Sequence, residues 1–232
     1  MSVGEDKARR FGGAGSYFAS KLPAVLKETG SATEQTILYN NLRAAAIAAS
    51  TNAKLTGATD HKVSAGGSAN SNYSIIAVKW APGQVNALYD PAGFGNGMLF
   101  DMEALNGGNL MKIDGAGGNQ INGYAMRMKS YFGMLTANPR NVATIVNIDI
   151  ANTDTPTEDE IDGILDAIRA QTGGSTMLLM HPKVKTFLNG FKATNLQTVV
   201  ETRDYNRTFD AWNGIPIITS YNFLNGTEVD VA

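Results

Sequence analysis

A buried strand is predicted at Thr176-Met177-Leu178-Leu179-Met180, a short apolar run that leads directly into His181-Pro182. Pro182 fits the first turn of a helix, where its missing N–H leaves no intrahelical bond unmade. His181 stands before that helix, so we expect it to bond the helix backbone rather than to act as a base or a metal ligand. The following residues place apolar side chains at helical spacing on one face: Val184, Phe187, Leu188 and Phe191.

A second strand is predicted further along, at residues 215–219, inside Trp212-Asn213-Gly214-Ile215-Pro216-Ile217. The proline of this run is compatible with a strand only near its start or at a sheet edge. Asn225-Gly226 predicts a turn, and residues 228–231 predict a last short strand. Between the helix and the second strand, residues 196–200 fit either a further strand or the side of a loop.

The chain before this region adds two more strands and a helix with a strong N-terminal signal. Residues 73–80 and 141–150 are apolar and rich in β-branched side chains, which predicts strands, the second of them buried on one or both faces. Thr155-Pro156-Thr157-Glu158 is a capping-box pattern with proline at the first helical position, so a helix is predicted to begin there. Its first turn is acidic, its last turn holds Arg169, and Gly173-Gly174 is expected to end it.

The N-terminal part of the chain combines a helix with less regular segments. Ser31-Ala32-Thr33-Glu34 is a further capping-box pattern, and it predicts a helix that runs to about Ser50. Residues 16–27 are interrupted by Pro23 and predict a short helix or an extended segment that needs a partner surface. Residues 1–15 are polar and glycine-rich and are expected to form a mobile arm. Helices that alternate with mixed strands indicate an α+β fold with a central sheet and helices packed on it.

The bulk composition is that of a folded protein large enough to bury a sizeable core. The chain has 232 residues, of which 43% are hydrophobic and 17% charged. Its formal net charge of -2, without a Lys/Arg cluster, gives no indication of a nucleic-acid reader. Cysteine is absent, which excludes disulfides and thiol chemistry. No apolar run approaches the ~18 residues of a membrane helix, and the N-terminus lacks a signal-peptide core, so neither a membrane span nor secretion is expected.

Catalytic chemistry finds little support in the sequence. There are only two histidines, and His61 lies in a polar loop where a solvated side chain is expected. Asp149 and Asp154 flank the end of a predicted strand, where α/β enzymes often hold a metal, but we favour acidic residues that stabilise a helix N-terminus. The sequence contains no Gly-x-Ser-x-Gly, Walker-type or His-Glu-x-x-His motif. We therefore predict no catalytic residue, no metal and no cofactor.

The order of the C-terminal features resembles that of the major capsid proteins of tailed bacteriophages, which have the Hong Kong 97-type fold. The resemblance is carried by the strand before His181-Pro182, the helix after it, the Trp212 to Ile217 run and Leu224-Asn225-Gly226-Thr227-Glu228. Upstream, Asn72-Tyr73-Ser74-Ile75-Ile76-Ala77-Val78-Lys79-Trp80-Ala81-Pro82-Gly83 is similar to the strand that leads from the peripheral toward the axial domain in a podovirus-type branch. The similarity covers the chain roughly from Ser71 to its end.

The resemblance implies a shell subunit with peripheral and axial domains, a long spine helix and an N-terminal arm. The arm would be residues 1–30, the discontinuous peripheral domain residues 31–80 and 209–232, and the axial domain residues 81–208. Such subunits assemble into pentamers and hexamers of an icosahedral phage head that encloses double-stranded DNA, with scaffold, portal and decoration proteins as further partners. The protein would be located in the virion, after assembly in the cytoplasm of the host bacterium.

Contacts between subunits are expected in two regions. Tyr17, Phe18 and Leu22 have few local partners, so we expect the arm to lie on a neighbouring subunit. Phe94 and Asn96 lie in a glycine-rich segment whose loop tips would meet around a symmetry axis. Flexible tips would tolerate the small differences between five-fold and local six-fold settings.

Two other functions stay open. The chain has fewer residues before its long helix than the family pattern, which leaves an encapsulin-like cellular nanocompartment as the alternative within the same fold. A small soluble α+β enzyme with a carboxylate site is the alternative from another class, and a convergent pocket holding Asp149 and Asp154 would favour it. If the arm lies on a neighbour, deleting residues 1–27 should leave a folded subunit that assembles poorly.

Overall fold

The computed structural model describes residues 1–68, 71–89, 101–115, 118–129, 132–152, 154–171, 175–189, 196–201 and 207–231. The α- and π-helical elements are α1 (Glu5–Arg10), α2 (Ala14–Thr36), a π-helical segment (Ile37–Arg43), α3 (Ala44–Ser50), α4 (Glu158–Ala167) and α5 (Pro182–Leu188). The strands are β1 (Ser2–Gly4), β2 (Lys62–Ser64), β3 (Tyr73–Trp80), β4 (Val85–Tyr89), β5 (Asp101–Ala104), β6 (Met111–Asp114), β7 (Gln120–Lys129), β8 (Phe132–Thr136), β9 (Val142–Ile148), β10 (Ser175–Met180), β11 (Leu196–Glu201), β12 (Arg207–Trp212) and β13 (Ile215–Thr219).

The chain divides into two compact units, each built from two stretches of sequence. The first unit comprises residues 1–31 and 87–133, and the second comprises residues 32–86 and 134–232. Helices and sheets are mixed along the chain, as the predicted α+β class requires. The boundaries of the peripheral and axial domains, which the resemblance to capsid proteins implies, stay a prediction.

A seven-stranded mixed sheet forms the centre of the second unit. Its strand order is β11-β12-β13-β10-β3-β9-β2, with β10 parallel to β13 and β2 parallel to β9. β3 lies antiparallel between β10 and β9, so it is a central strand. The predicted strands at residues 73–80, 141–150, 176–180 and 215–219 are all confirmed, and residues 196–200 are strand rather than loop.

Both faces of this sheet are covered, because successive side chains of β3 point to opposite faces. Ile75 and Ala77 join a core that includes apolar residues of α4 and α5. Ile76 and Val78 join a second core with Leu38, Leu42, Ala46 and Phe223, so helical residues and the C-terminal region cover that face. A strand buried on both faces reads as a continuous apolar run, which explains why residues 73–80 were recognisable in the sequence.

The long helical stretch begins earlier than predicted. α2 starts at Ala14, and the π-helical segment and α3 continue it to Ser50, which is the predicted end. The capping-box pattern at Ser31-Ala32-Thr33-Glu34 therefore lies inside a helix, and the prediction of a helix start there was wrong. Pro23 is also inside α2, where it removes one backbone hydrogen bond without ending the helix.

The first unit includes the N-terminal residues, which are ordered against its own sheet. β1 pairs antiparallel with β7, placing Val3 opposite Tyr124, and β5 and β6 pair with β7 as well. A Cβ atom at Gly123 would overlap the Ile113 side chain and the Val3 carbonyl oxygen, so only glycine allows β1 to approach this closely. Residues 1–15 were predicted as a mobile arm, and β1 and α1 occupy most of them.

α4 begins with the predicted kind of cap, but two residues later. The Thr157 hydroxyl accepts a hydrogen bond from the Glu160 N–H at 3.2 Å, and the Glu160 carboxylate accepts one from the Thr157 N–H at 2.8 Å. The capping box is thus Thr157–Glu160 rather than Thr155–Glu158. The helix ends at Ala167, and Arg169 takes a left-handed conformation with φ 52° after it, so the prediction of Arg169 in the last turn was also wrong.

Gly163→Ala is expected to raise the free energy of unfolding by about 0.5–1 kcal/mol, because glycine inside a helix costs this much relative to alanine. Gly163 is exposed within α4, and a Cβ atom there would meet no other atom within 4 Å. Urea denaturation followed by circular dichroism measures the change. A loss of stability would contradict the open surroundings of this position.

The C-terminal residues form turns and a single bridge rather than a strand. Asn213 and Gly214 both have positive φ, 47° and 82°, which is the two-residue turn that joins β12 to β13. Residues 221–231 follow β13, and within them Glu228 forms an isolated antiparallel bridge with Asn72. The predicted strand at residues 228–231 was therefore wrong.

Candidate functional site

The predicted contact residues of the N-terminal segment differ in their exposure. Phe18 is 6% exposed and packs in a small core with Val3 and Ala8. Tyr17 and Leu22 are half-buried, and the Tyr17 ring meets the Phe11 ring edge-on with 5.2 Å between centroids. The interpretation that these side chains have few local partners was wrong for Phe18 and for Tyr17. Phe94 and Asn96 lie outside the described residues.

Exposed apolar side chains are concentrated in the first unit. Among the described residues, six of the nine large hydrophobic side chains that are exposed belong to this unit, and the list is Phe11, Leu88, Met102, Leu110, Ile121 and Phe132. The second unit contributes Ile218, Tyr221 and Val229. The first unit is the smaller of the two, so exposed apolar side chains are more frequent in it than in the second unit.

One face of the first unit's sheet carries both charges and an exposed apolar residue. Glu103 lies opposite Arg127 in the β5–β7 pair, with 2.5 Å between the carboxylate and the guanidinium, and Lys129 is 3.6 Å from the same carboxylate. The hydrogen bond and charge of Arg127 lower the pKa of Glu103. Ile121, Arg127 and Lys129 alternate along β7 onto the same face. Exposed ion pairs of this kind contribute little to stability.

The two aspartates that could have indicated an enzyme pair through their backbones, with 2.8 Å from the Asp149 N–H to the Asp154 carbonyl oxygen, but they do not both line the cavity beside Asp149. Asp149 is buried and lines a cavity of about 610 Å³, which Asp154 does not line. Its carboxylate accepts hydrogen bonds from the Asn152 side chain at 2.7 Å, the Ala151 N–H at 3.0 Å and the Ser71 hydroxyl at 3.2 Å. These bonds, that of Asn152 first, lower the pKa of Asp149. Asp149 thus shapes the turn after β9, and the described residues contain no cluster of three metal-ligating His, Cys, Asp or Glu side chains.

The histidines have structural partners. His181 caps α5 as predicted, because its Nδ1 accepts a hydrogen bond from the Lys183 N–H at 3.1 Å. His61 is 2% exposed, and its Nδ1 donates to the Val142 carbonyl oxygen at 2.8 Å. The prediction that His61 is solvated was wrong, since the loop that carries it packs against β9.

The stability of the folded chain should fall as the pH drops below about 6.5, and His181 should account for part of that loss. Burial, followed by the charge of Lys183, lowers the pKa of His181 from its ordinary value. A histidine with a lowered folded-state pKa contributes stability that is present above the unfolded pKa and is lost as the pH falls through the folded one. His181→Asn keeps a capping side chain without titrating, so its unfolding free energy should depend less on pH in this range. Equal pH dependence of the two proteins would contradict this role.

A buried cluster joins the helical stretch to the C-terminal residues. The Glu228 carboxylate accepts hydrogen bonds from Tyr39 at 2.5 Å, from Arg43 at 2.8 Å and from the Ser74 hydroxyl. Burial raises the pKa of Glu228, against the effect of its three donors. Burial and the Glu228 charge also raise the pKa of Tyr39. The cluster ties the π-helical segment and β3 to residue 228.

The comparison with protein families decides the identity of the chain. The family model of major capsid protein GP7 matches residues 17–232, which is nearly the whole sequence. The chain belongs to this family of phage major capsid proteins. It is therefore a structural protein of the bacteriophage capsid, and its place is the virion. A search of curated proteins found no match.

For a major capsid protein, contact surfaces and the elements that hold the subunit's shape matter more than a pocket. None of the helices in the described ranges is long and apolar enough to cross a membrane. The Glu228 cluster was missed at the sequence level, although Leu224-Asn225-Gly226-Thr227-Glu228 was one of the runs that carried the resemblance. The sequence around Glu228 does not indicate that this side chain is buried, because its partners Tyr39 and Arg43 lie far away in the sequence.

Proposed function

We propose that the chain is the shell subunit of an icosahedral phage head, with the Hong Kong 97-type fold, and that it assembles into pentamers and hexamers around double-stranded DNA. The observation that carries this proposal is the family match over residues 17–232. Within this fold, residues 1–30 would be the arm, residues 31–80 and 209–232 the peripheral domain, and residues 81–208 the axial domain. Assembly would take place in the host cytoplasm with scaffold, portal and decoration proteins as partners.

The surface chemistry supports a shell rather than a nucleic-acid reader. The net charge of -2 lacks the basic excess that phosphate contacts require, so DNA would be confined without being gripped. Rings of identical subunits form through heterologous contacts, in which two different patches of the same chain meet. The exposed apolar residues of the first unit provide one such patch.

The contact residues follow from the same surface. Tyr17 and Leu22 stay candidates because they are half-buried in the isolated chain, and Phe94 and Asn96 stay candidates by their place in the sequence. Phe18 would act indirectly, by holding the N-terminal segment in its own unit. Deleting residues 1–27 would also remove β1 and the core around Phe18, so point substitutions test the contacts more cleanly.

Ile121→Thr is expected to reduce assembly several-fold while leaving the fold intact. Ile121 is 42% exposed on β7, and threonine keeps the β-branched shape while removing apolar contact area. Light scattering and negative-stain microscopy of the purified chain, with scaffold protein if it is required, measure the yield of particles. Ile218→Thr is the matched control, because Ile218 is 39% exposed on β13 of the second unit.

Each outcome of this comparison bears on the proposal. Uniform hollow particles or five- and six-membered rings from the unaltered chain would support the shell, and their loss in Ile121→Thr alone would place a contact on the first unit. Equal loss in both variants would argue against a specific patch in the first unit. A monomer that stays monomeric with scaffold protein present would contradict the assembly proposal.

A further inference from the structure

The C-terminal strap, defined as residues 221–231, is fastened mainly by polar contacts to four elements, which are α2, the π-helical segment, β3 and β9. Asn222 donates to the Glu34 carboxylate, and the Leu224 N–H donates to the Tyr39 hydroxyl at 2.9 Å. Val231 exchanges two 2.9 Å hydrogen bonds with the side chain of Asn147 on β9. Phe223 is the buried apolar residue of the strap, whereas Tyr221 and Val229 are 83% and 68% exposed.

The strap meets the helical stretch at the segment that departs from α-helical bonding. Residues 37–43 form a π-helical segment, and Tyr39 and Arg43 within it both bind Glu228 of the strap. The Tyr39 ring also meets the Phe223 ring edge-on, with 6.0 Å between centroids. Glu34, at the end of α2, also binds the strap, because its carboxylate accepts a hydrogen bond from Asn222.

This coincidence has a physical reason. π-helical turns are rare because their hydrogen bonds are intrinsically less favourable than those of an α-helix, so a seven-residue segment needs support from tertiary contacts. The strap supplies such support with a buried ion pair, two hydrogen bonds to one hydroxyl and an aromatic contact. Without it, the residues on either side of the segment favour the ordinary α-helical bonding of α2 and α3.

We propose that the C-terminal strap holds residues 37–43 in the π-helical form, and that releasing the strap returns this segment to an α-helix. The two forms differ in shape, because a π turn takes in extra residues and so shortens the helix by about 1.5 Å for each of them. It also rotates the preceding residues by roughly 100° per residue about the helix axis. The strap is therefore a built-in device that selects between two helix geometries, and it operates in the isolated chain whether or not the shell assembles as proposed.

Distance measurements between two spin labels test this directly. Cysteine is absent from the chain, so Ala32→Cys and Ala48→Cys label two exposed sites on either side of the segment and nowhere else. Electron paramagnetic resonance then gives the label distance in the labelled chain with its strap intact and in three further variants. Glu228→Ala removes the buried carboxylate, and Tyr39→Phe removes the hydroxyl while keeping the ring contact, so it serves if Glu228→Ala does not fold. Asn147→Gly is the matched control, because it frees the end of the strap without touching the helix and tolerates the φ of 58° at this position.

The expected result is a longer label distance in Glu228→Ala and in Tyr39→Phe, with no change in Asn147→Gly. Hydrogen exchange of the strap amides, corrected for intrinsic rates, reports in the same samples whether the strap has been loosened. In Glu228→Ala or Tyr39→Phe, a loosened strap with an unchanged label distance would overturn the proposal. Unchanged hydrogen exchange of the strap amides in both Glu228→Ala and Tyr39→Phe would overturn the proposal as well. Glu228 and Tyr39 would then not hold the strap.

Discussion

Glu228→Ala is expected to lower the free energy of unfolding by about 3–5 kcal/mol, because breaking a buried ion pair leaves the remaining charge without a partner. The Glu228 side chain is 1% exposed and that of Arg43 is 12% exposed, so water cannot replace the lost carboxylate without rearrangement. Tyr39 and Ser74 would lose their acceptor at the same time. Guanidinium denaturation followed by circular dichroism measures the effect.

A matched control separates the effect of burial on stability from the effect of losing an ion pair. Glu103→Ala makes the same chemical change at another Arg–Glu pair, but Glu103 and Arg127 are each about half exposed. Exposed pairs of this kind contribute little, so Glu103→Ala should leave stability nearly unchanged. If Glu228→Ala lost as little stability as Glu103→Ala, the Glu228 carboxylate would not be buried in solution.

The strands of the second unit were predictable because their burial shows in the apolar residues of the strands themselves. Residues 73–80 and 142–148 are buried on both faces of a sheet, and such strands must be apolar along their whole length. The start of α5 was predictable for a similar reason, since His181-Pro182 contains both the cap and the first helical residue. Where local chemistry decides the structure, the sequence is a sufficient guide.

Two of the wrong predictions, those for His61 and for the helix start at Ser31, concern residues that bind distant partners. His61 is polar and lies in a loop, yet it is buried because β9 offers the Val142 carbonyl. Glu34 resembles the last residue of a capping box, but its carboxylate binds Asn222 near the other end of the chain. Contacts between residues this far apart leave no periodic or spacing signal.

The candidate residues for subunit contacts in the first unit were only partly predictable from the sequence. An apolar N-terminal segment was recognised, but the sequence could not tell that β7 buries Phe18 and leaves Ile121 exposed. Exposure on one face of a strand depends on which face the neighbouring elements cover. Residues 124–132 alternate only weakly in the sequence, and they include the charged residues Arg127 and Lys129.

Trp212→Ala is expected to lower the free energy of unfolding by about 3–5 kcal/mol, the usual cost of removing a large aromatic side chain from a core. Trp212 is fully buried in the core formed by the central sheet with α4 and α5. Its indole Nε1 donates a 2.7 Å hydrogen bond to the Asp162 carboxylate on α4. Thermal denaturation followed by far-ultraviolet circular dichroism is the suitable measurement, since fluorescence would change with the loss of one of the two tryptophans.

Two further variants divide this loss between packing and the hydrogen bond. Trp212→Phe keeps most of the apolar volume and removes the donor, whereas Asp162→Ala keeps the indole in place and removes the acceptor. Asp162 is exposed and also accepts a 3.1 Å hydrogen bond from Asn213, so water can satisfy the groups left behind and its loss should cost about 1 kcal/mol. Most of the loss in the free energy of unfolding should therefore come from the side-chain volume removed at position 212. If Asp162→Ala were as damaging as Trp212→Ala, the hydrogen bond between the β12–β13 turn and α4, rather than the filling of the core, would hold these elements together.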